Sequence, residues 1–154
     1  SLGNWTPAAK FNIYVDAEAA KVVFESGVSI TMMGLDVTHQ ALATKEVWHK
    51  INSINNPVST FVSELLVYFR NTYEKVFNFE DPPVHDVCCI AYLIYPEIFQ
   101  CRMLLVDIET KGELTYGMTV IDFHGVTKQE PNVNVALGLD HGKFWNLLYQ
   151  TFKS

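Results

Sequence analysis

A chain of 154 residues, 49% of them hydrophobic, is one domain's worth and suffices to bury a real core. Its net charge of −6 excludes the basic surface that nucleic-acid binding demands, and no apolar run is long enough to span a bilayer. Three cysteines, two of them adjacent, fit reduced thiols of a cytoplasmic core better than a disulfide framework. The mean hydropathy of +0.09 is high for a free-standing domain. It predicts surface covered by another part of the protein or by a subunit.

In chain order, Asp16 is the expected N-cap of a helix over residues 17–26 that stops at Gly27. Residues 29–35, "SITMMGL", are short and apolar and predict a buried strand, so helix and strand form the αβ unit of a parallel sheet. A second helix is expected from Thr44 to about Ile54, capped by Thr44 and broken by Asn55-Asn56-Pro57. From Pro57 a long amphipathic helix carries Phe61, Leu65, Leu66, Phe69, Tyr73 and Val76 at spacings of three and four. A loop over 78–84, stiffened by Pro82 and Pro83, leads to "HDVCCIAYLI" (85–94), a helix expected to be buried on nearly every face and to end near Tyr95-Pro96.

Beyond it the periodicity alternates. Residues 103–109 and 114–122 flank Thr110-Lys-Gly-Glu113 as a hairpin with Gly112 in the turn. Residues 133–139 give a third strand, and an amphipathic helix over 141–152 closes the chain. The pattern is α/β: an open sheet with flanking helices plus a small antiparallel piece, resembling half of a larger domain. The chain starts without methionine and runs directly into patterned sequence, which predicts that a preceding stretch has been removed.

Two stretches carry candidate chemistry. In "GNWTPAAKFN" (3–12), Asn4 and Asn12 offer a donor and an acceptor each, which suits sugar hydroxyls; from spacing alone, loop punctuation and capping is the favoured reading. In His85-Asp86, the aspartate suits a helix N-cap, worth about 1 kcal/mol, and the histidine either faces solvent or pairs with a carboxylate as a general acid. Tyr73, in a Phe/Tyr stripe, stacks on a base or belongs to the core. Cys88 and Cys89 are packing residues, and His39 has no assigned role.

Four ordered blocks, "GNWTPAAKFNIYVDAEAAKVVFESG", "ITMMGLDVTH", "HDVCCIAYLIYPEIF" and "VDIETKGELTYGMTVID", resemble the C-terminal half of the inosine-uridine nucleoside hydrolases over essentially the whole chain. The resemblance implies that residues 1–154 are the C-terminal portion of such a domain, with the N-terminal half absent. It implies a calcium-dependent hydrolase in which an activated water splits the N-glycosidic bond of a ribonucleoside. Within it, Asp86 is implied as a calcium and ribose ligand, and His85 as the catalytic residue facing the leaving base. Asn4 and Asn12 are implied to hold the ribose, with Phe11 between them, and Tyr73 to lie near the base.

The remaining calcium ligands are then expected from the absent half. Calcium takes six to eight oxygens, which one aspartate cannot supply, so the isolated chain is expected to be inactive. A cytoplasmic homo-oligomer is the expected full-length state. Lys10 departs from the family's glutamate. It cannot accept a hydrogen bond and reverses the local charge. It supports the alternative of a non-catalytic homologue that binds nucleoside or ribose, or serves assembly.

Overall fold

The computed structural model describes residues 3–77 and 80–153. Asn78 and Phe79, at the head of the expected 78–84 loop, lie outside the described residues, as do Ser1 and Leu2. In chain order come α1 (Phe11–Tyr14), α2 (Ala17–Glu25), β1 (Ile30–Met32), α3 (Leu35–Thr38), α4 (Lys45–Asn52), α5 (Pro57–Phe77) and α6 (Asp86–Ile94). A 3-10 turn (Pro96–Ile98) precedes β2 (Phe99–Ile108), β3 (Thr119–Asp122), β4 (Val133–Leu139) and α7 (His141–Lys153). The four strands form one mixed sheet in the order β1-β4-β2-β3, with β1 parallel to β4 and β2 antiparallel to β3. The expected α/β class and open sheet with flanking helices are therefore present.

The chain divides into two compact units, residues 1–35 with 101–137 and residues 36–100 with 138–154. In the first, the Asp16 carboxylate accepts from Ala19 N at 2.9 Å and starts α2, and Gly27 at φ +77° ends it, as the cap signals predict. The core is a β-branched and leucine cluster, Leu104, Val106, Val133 and Val135, with Phe24, Ile30 and Met32 packed against it. Asn132 stitches its edge: its amide donates to Phe24 O and Val106 O, and its carbonyl accepts from Val106 N.

Two expectations for this unit change. The buried strand over 29–35 shrinks to three residues with Thr31 exposed, because among the described residues β1 lies at the sheet edge, paired with β4. The hairpin's second strand begins at Thr119, five residues late. Glu109 is the cause: its carboxylate accepts from Lys111 N and Gly112 N, and its carbonyl accepts from Gly117 N. Residues 113–117 coil into turns instead of pairing, with Gly117 at φ +77° against Tyr14, where a Cβ would approach the Tyr14 backbone to 3.0 Å.

In the second unit Thr44 caps α4 through Val47 N at 3.3 Å, as expected. Asn56 and Ser59 cap α5 reciprocally: Asn56 Oδ1 accepts from Ser59 N at 2.8 Å, and Ser59 Oγ accepts from Asn56 N at 3.0 Å. The expected inward stripe of α5 is only half realised. Ser59 and Ser63 are buried, while Phe61, Leu65 and Val76 are exposed. Small serines allow close approach, and Trp48 of α4 donates to Ser63 O at 3.2 Å. Similarly, α6 buries Cys88 and Ala91 but leaves Ile90, Leu93 and Ile94 exposed, so one face of it packs and not nearly all. The core of this unit centres on Phe144, Trp145 and Tyr149 of α7 with Val37 and Ile51.

Candidate active site

The residues singled out in the sequence fall into two groups, one in each unit. In the first unit, residues 3–9 fold into a tight loop around the Ala9 carbonyl, which accepts from Asn4 N, Trp5 N and Thr6 N. Gly3 is obligatory there, since a Cβ would lie 2.1 Å from Thr6 O and 2.3 Å from Ala9 O. Asn4 uses its side-chain carbonyl on Phe11 N at 3.0 Å and so holds the start of α1. Phe11 is about half exposed (47%) and meets Trp5 edge-on at 5.1 Å between ring centres. Asn12 is exposed on α1, and Lys10 is half-buried at the N-cap position. The structure thus brings Asn4 and Phe11 into one hydrogen-bonded loop with Asn12 beside them in sequence.

The second unit builds a tighter cluster. Ala43 N donates to Pro82 O at 2.9 Å and Val84 N to Ala41 O at 3.0 Å, a short antiparallel bridge between the segment after α3 and the segment before α6. Pro82 and Pro83 are fully buried in it. The bridge carries Thr38, at the end of α3, to His85. Thr38 Oγ1 lies 2.8 Å from His85 Nδ1. Tyr73, on the fifth turn of α5, places its hydroxyl 2.8 Å from His85 Nε2. Arg70, one turn earlier, fixes that end of the helix by donating to Glu80 O at 3.0 Å and pairing with Asp81.

Both nitrogens of the His85 ring are therefore held. The His39 ring lies 5.7 Å away, centre to centre. Burial pushes the His85 imidazole below its ordinary pKa of 6.5, and His39 pushes it further, against the pull of Asp86. Burial likewise lowers His39, opposed by Asp36, and raises the Tyr73 phenol. At neutral pH the site is a half-buried, neutral imidazole with a phenol on one nitrogen and an aliphatic hydroxyl on the other. Cys88, one turn into α6, is buried and its thiol pushed up to about 12, mainly by burial, which leaves it the packing role expected of it.

Asp86 is the first helical residue of α6, not its N-cap, and is exposed; His85 occupies the cap position without a side-chain cap bond. Among the described residues no three His, Cys, Asp or Glu side chains are grouped to hold a metal ion. One exposed carboxylate does not meet calcium's demand for six to eight oxygens, so these residues do not by themselves make a calcium site. A groove of about 480 Å³ in the first unit, lined by Asp107, Asp122, Phe123 and His124 among others, contains none of the candidate residues. Its acids are already engaged, Asp107 by Lys21 and Asp122 by the Thr127 side chain and the Val126 and Thr127 amides.

Thr38 was not among the residues chosen from the sequence. The signal was present in "LDVTH", where a threonine precedes a histidine in a short segment between apolar runs. Nothing local says that its hydroxyl meets a side chain 47 positions away.

A half-buried histidine held by a phenol and a hydroxyl, at the head of a helix in an α/β fold, suits proton transfer to a leaving group. Comparison with known proteins gives the class. The pattern described as inosine-uridine preferring nucleoside hydrolase matches residues 1–146, and the chain belongs to that family. It is 46% identical over 153 residues to the pyrimidine-specific ribonucleoside hydrolase RihA of Escherichia coli O7:K1 (strain IAI39 / ExPEC), covering 99% of this chain and 49% of that protein. The chain thus spans about half the length of the curated relatives it matches. Among solved structures, the purine-preferring ribonucleoside hydrolase from Gardnerella vaginalis superposes with a TM-score of 0.85 at 25% identity, covering 99% of this chain and 48% of that one. The plant nucleoside hydrolase PpNRh1 shares the fold, with a TM-score of 0.85 at 22% identity, covering 99% and 50%.

Proposed function

We propose that this chain forms part of a calcium-dependent ribonucleoside hydrolase and supplies the leaving-group side of the reaction. The observation that carries this reading is the His85 ring held at both nitrogens, in a member of the nucleoside hydrolase family. In the overall reaction the bond between the anomeric carbon and the base nitrogen breaks, water adds hydroxide to the carbon, and the base takes the proton. The developing oxocarbenium-like charge needs fixed partners on the ribose, and the departing base needs a proton donor. His85 and Tyr73 serve the base; Asn4, Asn12 and Phe11 serve the ribose. Asp86 contributes one oxygen to calcium, whose other ligands come from outside this chain, so the chain alone is inactive. The greater identity to pyrimidine-specific relatives makes uridine and cytidine the first expected substrates and inosine the comparison. The working protein is a cytoplasmic homo-oligomer.

The second reading, a non-catalytic nucleoside-binding or assembly homologue, rests on Lys10, half-buried beside the ribose candidates where the family carries a glutamate. One assay separates the two. Base release from uridine, cytidine and inosine is measured with calcium for this chain alone and for a chimera in which it replaces the matching half of the E. coli relative. Turnover by the chimera and none by the chain is expected. A folded chimera that binds nucleoside without releasing base establishes the second reading. Turnover by the chain alone refutes the claim that it lacks calcium ligands.

A further inference from the structure

We infer that Thr38 is a positioning residue for His85: its hydroxyl accepts the Nδ1 proton, fixes the ring tautomer and leaves Nε2 as the nitrogen that works with Tyr73. The inference rests on the reading of His85 as the group facing the leaving base.

The geometry is specific. Thr38 is 3% exposed, and its hydroxyl oxygen lies 2.8 Å from His85 Nδ1, a contact that burial shields from competing water. Neutral imidazole has one N–H and one lone pair, and here it meets two hydroxyls, one on each nitrogen. The stronger donor of the two is the phenol, far more acidic than an aliphatic alcohol, so the favoured arrangement gives the lone pair to Tyr73. Tyr73 O–H then donates to Nε2, and Nδ1–H donates to Thr38 Oγ1. The opposite tautomer would place the weaker donor on the lone pair and ask the phenol to accept.

Thr38 is also the more rigidly held of the two partners. It follows fully buried Val37, its carbonyl accepts from Ala41 N at 3.0 Å, and the Ala41–Ala43 segment is bridged to the Pro82–Val84 segment that delivers His85. Tyr73 is half-buried on α5, near that helix's C-terminal end. The fixed end of the network is Thr38 and the working end is Tyr73. A carbonyl or carboxylate on Nδ1 is the usual way to fix a histidine tautomer; here a buried hydroxyl does it.

The test has two readouts on the same variants. Long-range proton–nitrogen correlation spectra of this chain report which ring nitrogen of His85 carries the proton. The expected result is Nδ1–H in the unmodified chain and in Thr38→Ser, with loss of that tautomer in Thr38→Val, which keeps the volume and removes the acceptor. An Nε2–H ring in the unmodified chain, or an unchanged ring in Thr38→Val, overturns the proposal.

In the chimera, Thr38→Val should lower kcat about tenfold to hundredfold with little change in KM, and Thr38→Ser should restore it. A tautomer shift with kcat unchanged overturns the functional half of the proposal. Because the spectra are read without turnover, a failure of the hydrolase reading shows itself separately, as an unmodified chimera that releases no base.

Discussion

The two candidate groups are built by opposite means. In the first unit the loop before α1 is defined by its own backbone, three amides converging on one carbonyl, and its candidate side chains Phe11 and Asn12 stand exposed. In the second unit the backbone contributes one short bridge, and side chains from two separate segments converge on His85. A loop closed on itself tolerates change in its exposed side chains. A cluster assembled across 47 positions of sequence depends on every supporting contact. The His85 cluster is therefore the preorganised part, while Asn12 and Asp86 stand exposed on their helices.

The largest expected effect tests that contrast directly. In the chimera, His85→Ala should cost about 10²–10⁴ in kcat, the usual range for a positioned acid–base group. Asn12→Ala should cost only about fivefold in kcat/KM, the worth of one hydrogen bond of about 1 kcal/mol. Steady-state kinetics on uridine reads both. An Asn12 effect equal to that of His85 would mean that preorganisation in the free protein does not rank these residues.

Next in size is the support of the cluster. Arg70 joins α5 to the loop at Glu80 and Asp81 by charge-assisted contacts, with its side chain 21% exposed. Arg70→Ala should destabilise the chain by about 1.5–3 kcal/mol, the worth of hydrogen bonds to a charged group, and should also lower activity through Tyr73. The analogous support in the first unit is Asn4 on Phe11 N, exposed and neutral. Asn4→Ala should cost about 0.5–1.5 kcal/mol. Urea unfolding of the two variants compares them; equal losses would erase the distinction between the two groups.

What was legible in the sequence follows the same divide. Local signals held: Asp16, Thr44 and Gly27 mark helix ends where capping chemistry puts them, and β4 coincides with the strand expected over 133–139. Signals that need a partner did not. Phe61, Leu65 and Val76 of α5, and Ile90, Leu93 and Ile94 of α6, are apolar at helical spacing and yet exposed, because periodicity records which face is apolar and not what covers it. The hairpin was displaced by a carboxylate that binds its own turn, an interaction that propensity does not encode. In the second unit, His85 and Asp86 were singled out by residue type and Tyr73 by its place in the resemblance. Thr38 was not, because its hydroxyl becomes informative only once the bridge brings it to His85.

The smallest expected effect is the acid response, which should differ between the units in its pH window. His39 has its pKa lowered below 6.5, chiefly by burial. As pH falls through 6.5 the unfolded chain takes up that proton first, so stability declines from there down to the lowered folded value and is flat below it. Asp122 acts with the same sign in a lower window: the Thr127 hydroxyl and nearby amides hold its carboxyl down from 3.8 to about 2. Its contribution is complete above 3.8 and is lost as pH falls through about 2. His39→Gln should thus flatten the stability profile just below pH 6.5 and leave the steep acid end unchanged. Asp122→Asn should do the reverse. Urea midpoints measured from pH 7.5 to 2 separate the two windows, and a His39→Gln profile that still bends below 6.5 would assign that bend to His85, the second imidazole that burial lowers in the same cluster.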